Sequence, residues 1–117
     1  MKTNKILFTA LLAILFCANS FAQSQTKANV TDLKTISLKV AGNCGMCETR
    51  IEKAAKIEGV SKADWNSETK ILTLVYKPSK VKSDDIQKKI AAVGHDTPKF
   101  KATDKVYNSL PGCCKYR

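Results

Sequence analysis

Histidine and tryptophan occur once each in this chain of 117 residues, methionine twice and proline three times. No Ser/His/Asp set, no acid pair and no phosphate-cradling glycine loop stands out around the single histidine. The chain therefore offers no catalytic apparatus and reads as a non-enzyme. Acidic side chains are scarce, 10 against 20 basic, for a net charge of +10. The length allows one small domain and excludes a large enzyme with a deep substrate cleft. No apolar run reaches the roughly 20 residues that a bilayer-crossing helix needs, and there is no internal repeat or low-complexity tract.

The longest apolar run, Ile6 to Ala18, carries no charge, follows Lys2 and Lys5, and precedes the small-x-small sequence Ser20-Phe21-Ala22. That is the pattern of a secretory signal peptide over residues 1–22. Cleavage after Ala22 would leave 95 residues with net charge +8 and no transmembrane segment. The expectation is an exported protein, periplasmic or secreted, with no nucleic-acid partner. Cys17 leaves with the run. A lipid anchor at Cys17 does not fit, because Phe16 stands where a small residue is needed. The polar residues 23–34 read as a flexible leader.

Four of the five cysteines remain after such cleavage: Cys44, Cys47, Cys113 and Cys114. An even number in a short exported chain usually signals disulfides. Here they form one C-x-x-C and one adjacent pair, and such close pairs gain little from loop closure. Both pairs suit a chelate or a redox couple better.

Lys34 to Val40 alternates, with Ile36, Leu38 and Val40 on one side, and predicts a half-buried strand. Small residues from Ala41 to Met46 make a loop. Cys47, Ile51, Ala54 and Ala55 share a helical face from about Cys47 to Ile57, with Gly59 ending the helix. Val60 to Trp65 is a strand whose broken alternation marks a bulge. Asn66 to Thr69 turns a hairpin into the strand Ile71 to Tyr76, with Leu72, Leu74 and Tyr76 on one face. After Pro78, Ser83 offers an N-cap, with Asp84 and Asp85 in the first helical turn. Ile86, Ile90 and Val93 form that helix's stripe, and Gly94 ends it. His95 to Lys101 is expected as a last, edge strand because of Pro98, and Thr103 to Ser109 as a further helical turn. Strand, helix, strand, strand, helix, strand is the α+β, ferredoxin-like βαββαβ order. Two helices would cover one face of a four-stranded antiparallel sheet over residues 35–101. Residues 102–117 would form a Cys-containing C-terminal extension.

The C-x-x-C falls where the first strand passes into the first helix. Free N–H groups and the helix dipole favour thiolate there, and Gly42 and Gly45 let the backbone bend around an ion. Two thiolates with no carboxylate or imidazole in the motif suit a soft ion, Cu(I) before Zn(II). Cys44, in the loop, is expected as the entering ligand and Cys47, on the helix, as the fixed one. A site with so few ligands near the surface permits transfer to a partner by thiolate exchange. A thioredoxin-type thiol–disulfide exchange site also starts a helix after a strand. It needs another strand order and has no counterpart here to its aromatic residue before the first Cys.

Cys44-Gly-Met-Cys47 with Ile51 behind it, Gly59-Val60, Pro78 and Gly94-His95-Asp96 resemble the heavy-metal-associated domain family. That family includes copper chaperones, modules of copper-exporting ATPases and a periplasmic mercuric-ion binding protein. The resemblance runs from Thr35 to about Phe100. It implies the same ferredoxin-like fold, Cys44 and Cys47 as metal ligands, and a donor or acceptor metal-transport protein as partner. It leaves Hg(II), Zn(II) and Cd(II) as alternative ions, zinc requiring four ligands and so Cys113 and Cys114. The chain departs from the family at Gly42, where a methionine usually packs under the metal loop, and the loss predicts a looser loop. Met46 offers either a thioether or loop packing. His95 is a candidate third ligand or gate, or a plain loop residue. Cys113 and Cys114 are candidate extra ligands, or an idle pair on a frayed tail. Trp65 and Tyr76 read as core, and Lys53, Lys56, Lys88 and Lys89 as a solvated face able to steer an acidic partner.

Overall fold

The computed structural model describes residues 32–117. The signal-peptide reading of residues 1–22 and most of the leader lie outside the described residues. Strand β1 (Lys34–Lys39), helix α1 (Gly45–Ala55), strands β2 (Val60–Trp65) and β3 (Ile71–Tyr76) and helix α2 (Ser83–Ala92) follow in the expected order. Helix α3 (Asp104–Asn108) and a 3₁₀ turn (Gly112–Cys114) complete the chain. The sheet is antiparallel in the order β1-β3-β2. β1 pairs β3 from Lys34 opposite Tyr76 to Lys39 opposite Ile71.

Period-two patterning works as expected in the hairpin. Leu72, Leu74 and Tyr76 of β3 and Ala63 and Trp65 of β2 are buried, on the face that the helices cover. The register shifts between Val60 and Lys62, so Ser61 is the extra residue of a bulge and its hydroxyl donates to the Val75 carbonyl at 3.1 Å. The Asn66 side chain closes the turn, accepting from the backbone N–H groups of Glu68 (2.8 Å) and Thr69 (2.9 Å). Such an Asx turn is the local chemistry that makes Asn a turn residue.

Helix α1 buries Cys47, Ile51 and Ala55, and α2 buries Ile86 and Ile90, together forming one core with the sheet. α1 starts two residues earlier than the periodicity implies and ends at Ala55. Gly59 then reverses the chain with φ 98°, and a Cβ there would stand 2.9 Å from Val81 Cγ1. At α2 the N-cap position is Lys82, not Ser83. The Ser83 hydroxyl accepts instead from the Gln87 amide at 3.2 Å.

Three strands, not four, form the sheet among the described residues. The expected strand His95 to Lys101 is irregular. Thr97 and Phe100 close on each other, Thr97 N donating to Phe100 O (2.8 Å) and Phe100 N to Thr97 Oγ1 (3.0 Å). The backbone groups a ladder would use are thus spent locally, and Pro98 has no N–H to offer. One bond, from Ala41 N to Asp96 O at 3.0 Å, ties the segment beside the end of β1.

The C-terminal segment packs into the same core. Thr103 caps α3, its hydroxyl accepting from Val106 N, and Tyr107, Leu110 and Cys114 are buried with the helices and sheet. Leu110 lies over Gly94, which has φ 109°. A Cβ at Gly94 would meet Leu110 Cδ2 at 2.7 Å, so only glycine lets the leucine seat there. The loop before α1 is packed as well. Gly42 is buried, and a Cβ on it would stand 3.0 Å from the indole of Trp65. The loop thus lies against the Trp65 ring at the position where the sequence has glycine instead of methionine.

Candidate metal centre

Cys44 stands at the N-cap of α1 in extended conformation, its carbonyl accepting the first helical bonds from Cys47 N (2.9 Å) and Glu48 N (3.0 Å). The helix therefore begins at the motif, and the Met46 and Cys47 N–H groups of its first turn face the Cys44 sulfur. The Cys47 N–H above all, then the Cys113 thiol and the Met46 N–H, bring the Cys44 thiol from 9.0 down to about 7 against the effect of burial. Cys47 is fully buried, and burial pushes its thiol up to about 11 despite the Asn43 N–H that donates to its sulfur at 3.3 Å. The two positions of one motif thus differ. Cys44 is half-buried and ready to ionise, whereas Cys47 is enclosed and protonated until something stronger than a proton replaces it.

The two sulfurs lie 3.7 Å apart, and the Cys114 sulfur stands 3.8 Å from Cys44. All three fall within 4.8 Å of one another, and all are free thiols. Three sulfurs on one ion at a metal–thiolate distance of about 2.3 Å would stand about 4 Å apart, so the spacing fits a shared soft cation. Burial raises the Cys114 thiol, while Arg50, two turns along from the N-cap, donates from Nη1 to its sulfur at 3.3 Å.

The other candidates fall outside this three-sulfur group. Cys113 is exposed and turns its thiol to Met46 Sδ at 3.5 Å, with Met46 itself half exposed. His95 stands outside the sulfur group. Its ring is fully buried, Nδ1 donating to the Ala41 carbonyl at 2.8 Å, and it stacks on Tyr116. Its Nε2 is buried without a hydrogen-bond partner. Burial holds the His95 pKa below the usual value.

Arg50, Asn43 and Tyr116 escaped the sequence reading. The Asn43 amide donates to Lys115 O at 2.7 Å, and the Tyr116 hydroxyl donates to Gly94 O (2.7 Å) and accepts from Asp96 N (2.9 Å). A basic residue one turn after Cys47 was a signal available for Arg50. No local pattern could have announced the Asn43 side chain or Tyr116, whose side-chain partners lie far away in the chain.

The heavy-metal-associated domain model matches residues 37–96. A copper-exporting P-type ATPase from Staphylococcus saprophyticus is 37% identical over 75 residues, which cover 62% of this chain and 9% of that protein. This chain thus corresponds to a small part of the ATPase's length. The solved CopZ metallochaperone is 33% identical with TM-score 0.53, covering 55% of this chain and 98% of that one. Oxidized MerP from Ralstonia metallidurans CH34 is 31% identical with TM-score 0.53, covering 56% and 93%.

Proposed function

Because this chain belongs to the heavy-metal-associated domain family, we propose that it is an exported carrier or buffer of Cu(I). In this reading it hands the ion to a metal-transport protein by thiolate exchange. The observation that carries the reading is the sulfur group at the head of α1, with Cys44 and Cys47 3.7 Å apart and no carboxylate or imidazole in the group. An all-sulfur donor set selects soft cations. Cys47 is the fixed ligand on the helix, and Cys44, the more exposed and more acidic thiol, is the one that meets the incoming or departing ion.

The acceptor or donor would carry a domain of the same fold. The likeness to a part of a copper-exporting ATPase and to a metallochaperone favours such a transporter as the partner. The described part of the chain has no helix long and apolar enough to cross a membrane. Export to a periplasm or to the medium rests on residues 1–22, and mass spectrometry of the mature protein should find it beginning at or near Gln23.

The test is anaerobic titration of the reduced protein with Cu(I), Hg(II), Cd(II) and Zn(II) against competing chelators. The expected result is one tightly held Cu(I), lost in Cys44→Ser/Cys47→Ser. Undiminished uptake by that double variant, or no uptake by the parent, refutes the carrier. Preference for Hg(II), Zn(II) or Cd(II) makes the protein a scavenger. Rapid disulfide turnover with poor metal uptake makes it a thiol–disulfide exchange protein.

A further inference from the structure

The last five residues form a strap laid across the metal loop. Tyr116 grips Gly94 O and Asp96 N, the Asn43 amide holds Lys115 O, and Arg117 pairs with Asp96 at 2.8 Å and Asp104 at 3.0 Å. The Arg117 backbone N–H donates to the Tyr107 hydroxyl at 2.7 Å, and its guanidinium donates to Ala102 O at 2.9 Å. Burial opposes ionisation of Asp96, yet the Arg117 guanidinium and the Ala102 N–H keep its carboxyl below the usual range. Between these anchors and Leu110, itself seated on Gly94, the 3₁₀ turn is fixed at both ends. Its product is one buried thiol, Cys114, 3.8 Å from Cys44 and faced by Arg50. A frayed tail would leave that thiol in water; this one is built to deliver it.

We infer that Cys114 is a third, intramolecular ligand to the cargo ion, occupying the coordination position through which a partner's thiolate must enter. The inference rests on the carrier reading and adds a retention device to it. In transfer, an incoming thiolate forms one metal–sulfur bond as the Cys114–metal bond breaks. No electron changes hands, and the displaced Cys114 sulfur keeps its electron pair as a thiolate beside the Arg50 guanidinium. A tethered ligand acts at an effective concentration on the order of millimolar or more. A partner at micromolar concentration therefore competes at a disadvantage of about a thousandfold until the strap lifts. The chain holds its ion as a buffer and releases it to a partner that opens the strap.

X-ray absorption on the anaerobic full-length chain loaded with one equivalent of Cu(I) reads the ligand count. Three sulfur neighbours are expected in the parent and two in Cys114→Ser. The same count in both, whether two or three, overturns the assignment. Release to a colorimetric Cu(I) chelator should be faster by about a hundredfold or more in Cys114→Ser, the lower end of what the tethered-ligand advantage allows. Tyr116→Phe keeps the thiol but removes the hydroxyl grip. It should also release faster, with three sulfurs retained and the same far-UV circular dichroism. Unchanged release in both variants overturns the retention device. Uptake insensitive to Cys44→Ser/Cys47→Ser is a different result, because it removes the carrier reading itself.

Discussion

Gly42→Ala should destabilise the domain although it adds one methyl group to a loop. The added Cβ would stand 3.0 Å from Cη2 and Cζ2 of Trp65 and 3.1 Å from Cys47 Cβ, inside ordinary carbon–carbon contact of about 3.5 Å or more. The indole has little freedom to retreat. It is 1% exposed, its Nε1 donates to Val40 O at 3.0 Å, and its backbone N–H is held by Glu52 Oε1 at 2.9 Å. Overpacking of this kind costs about 1–3 kcal/mol. Replacing glycine returns roughly 0.4–1 kcal/mol by restricting the unfolded chain, which leaves a net loss of about 1.3 kcal/mol at the midpoints and at most about 2.6 kcal/mol. At roughly 4–8 °C per kcal/mol for a domain of this size, the reduced, metal-free protein should melt about 5–15 °C lower by circular dichroism. In Gly42→Ala/Trp65→Phe the smaller ring leaves room, so the two losses should fall short of additivity by about 1 kcal/mol. Melting of Gly42→Ala at or above the parent temperature would refute the claim that Trp65 is the rigid floor of the metal loop.

Thiol alkylation of the reduced, metal-free protein should separate the motif by pH. Cys44, at about 7, should reach half its maximal rate near pH 7, and Cys47, at about 11, should resist through pH 9, as peptide mapping would show. Equal rates at the two positions would refute the helix-start argument. The depressed Cys44 pKa contributes stability at pH 9 and above that is lost as pH falls through 7. Gly94→Ala should cost about 1–3 kcal/mol, because its φ of 109° and the 2.7 Å approach of Leu110 leave no place for a methyl group. Unchanged denaturant unfolding would count against that seat. His95, buried and with a pKa below 6.5, is kept neutral by the fold. Its contribution is complete above pH 6.5 and declines as pH drops below it, so His95→Phe should flatten the loss of stability below pH 6.5 in urea midpoints. An identical acid slope in parent and variant would disprove this.

Local chemistry explains how much could be read without coordinates. The alternation in Ile71 to Tyr76, the helical face of Cys47, Ile51 and Ala55, the Asn66 turn and the Ser61 bulge each follow from a few neighbouring residues. The strand at His95 to Lys101 was misread for the opposite reason. Its residues tolerate a strand, and the outcome turned on whether Thr97 would bond Phe100 or a distant neighbour. Ser83 is a similar case, since a hydroxyl at a helix start can cap the backbone or, as here, accept from Gln87.

The two-cysteine motif at a strand–helix junction is a property of the chain alone. Cys44 and Cys47 share a short loop and one helical turn, so their sulfurs meet wherever that helix forms. The third sulfur is not. Cys114 is 70 positions from Cys44, and nothing near it in the chain says whether it faces water or the motif. Its place depends on Leu110 finding Gly94, Tyr116 finding Gly94 and Asp96, and Arg117 finding two carboxylates. Each is a contact between distant segments that exists only after the sheet and helices have assembled. Short-range patterning brings the first two sulfurs together because their geometry is carried by adjoining backbone; only tertiary packing could decide which third sulfur joins them.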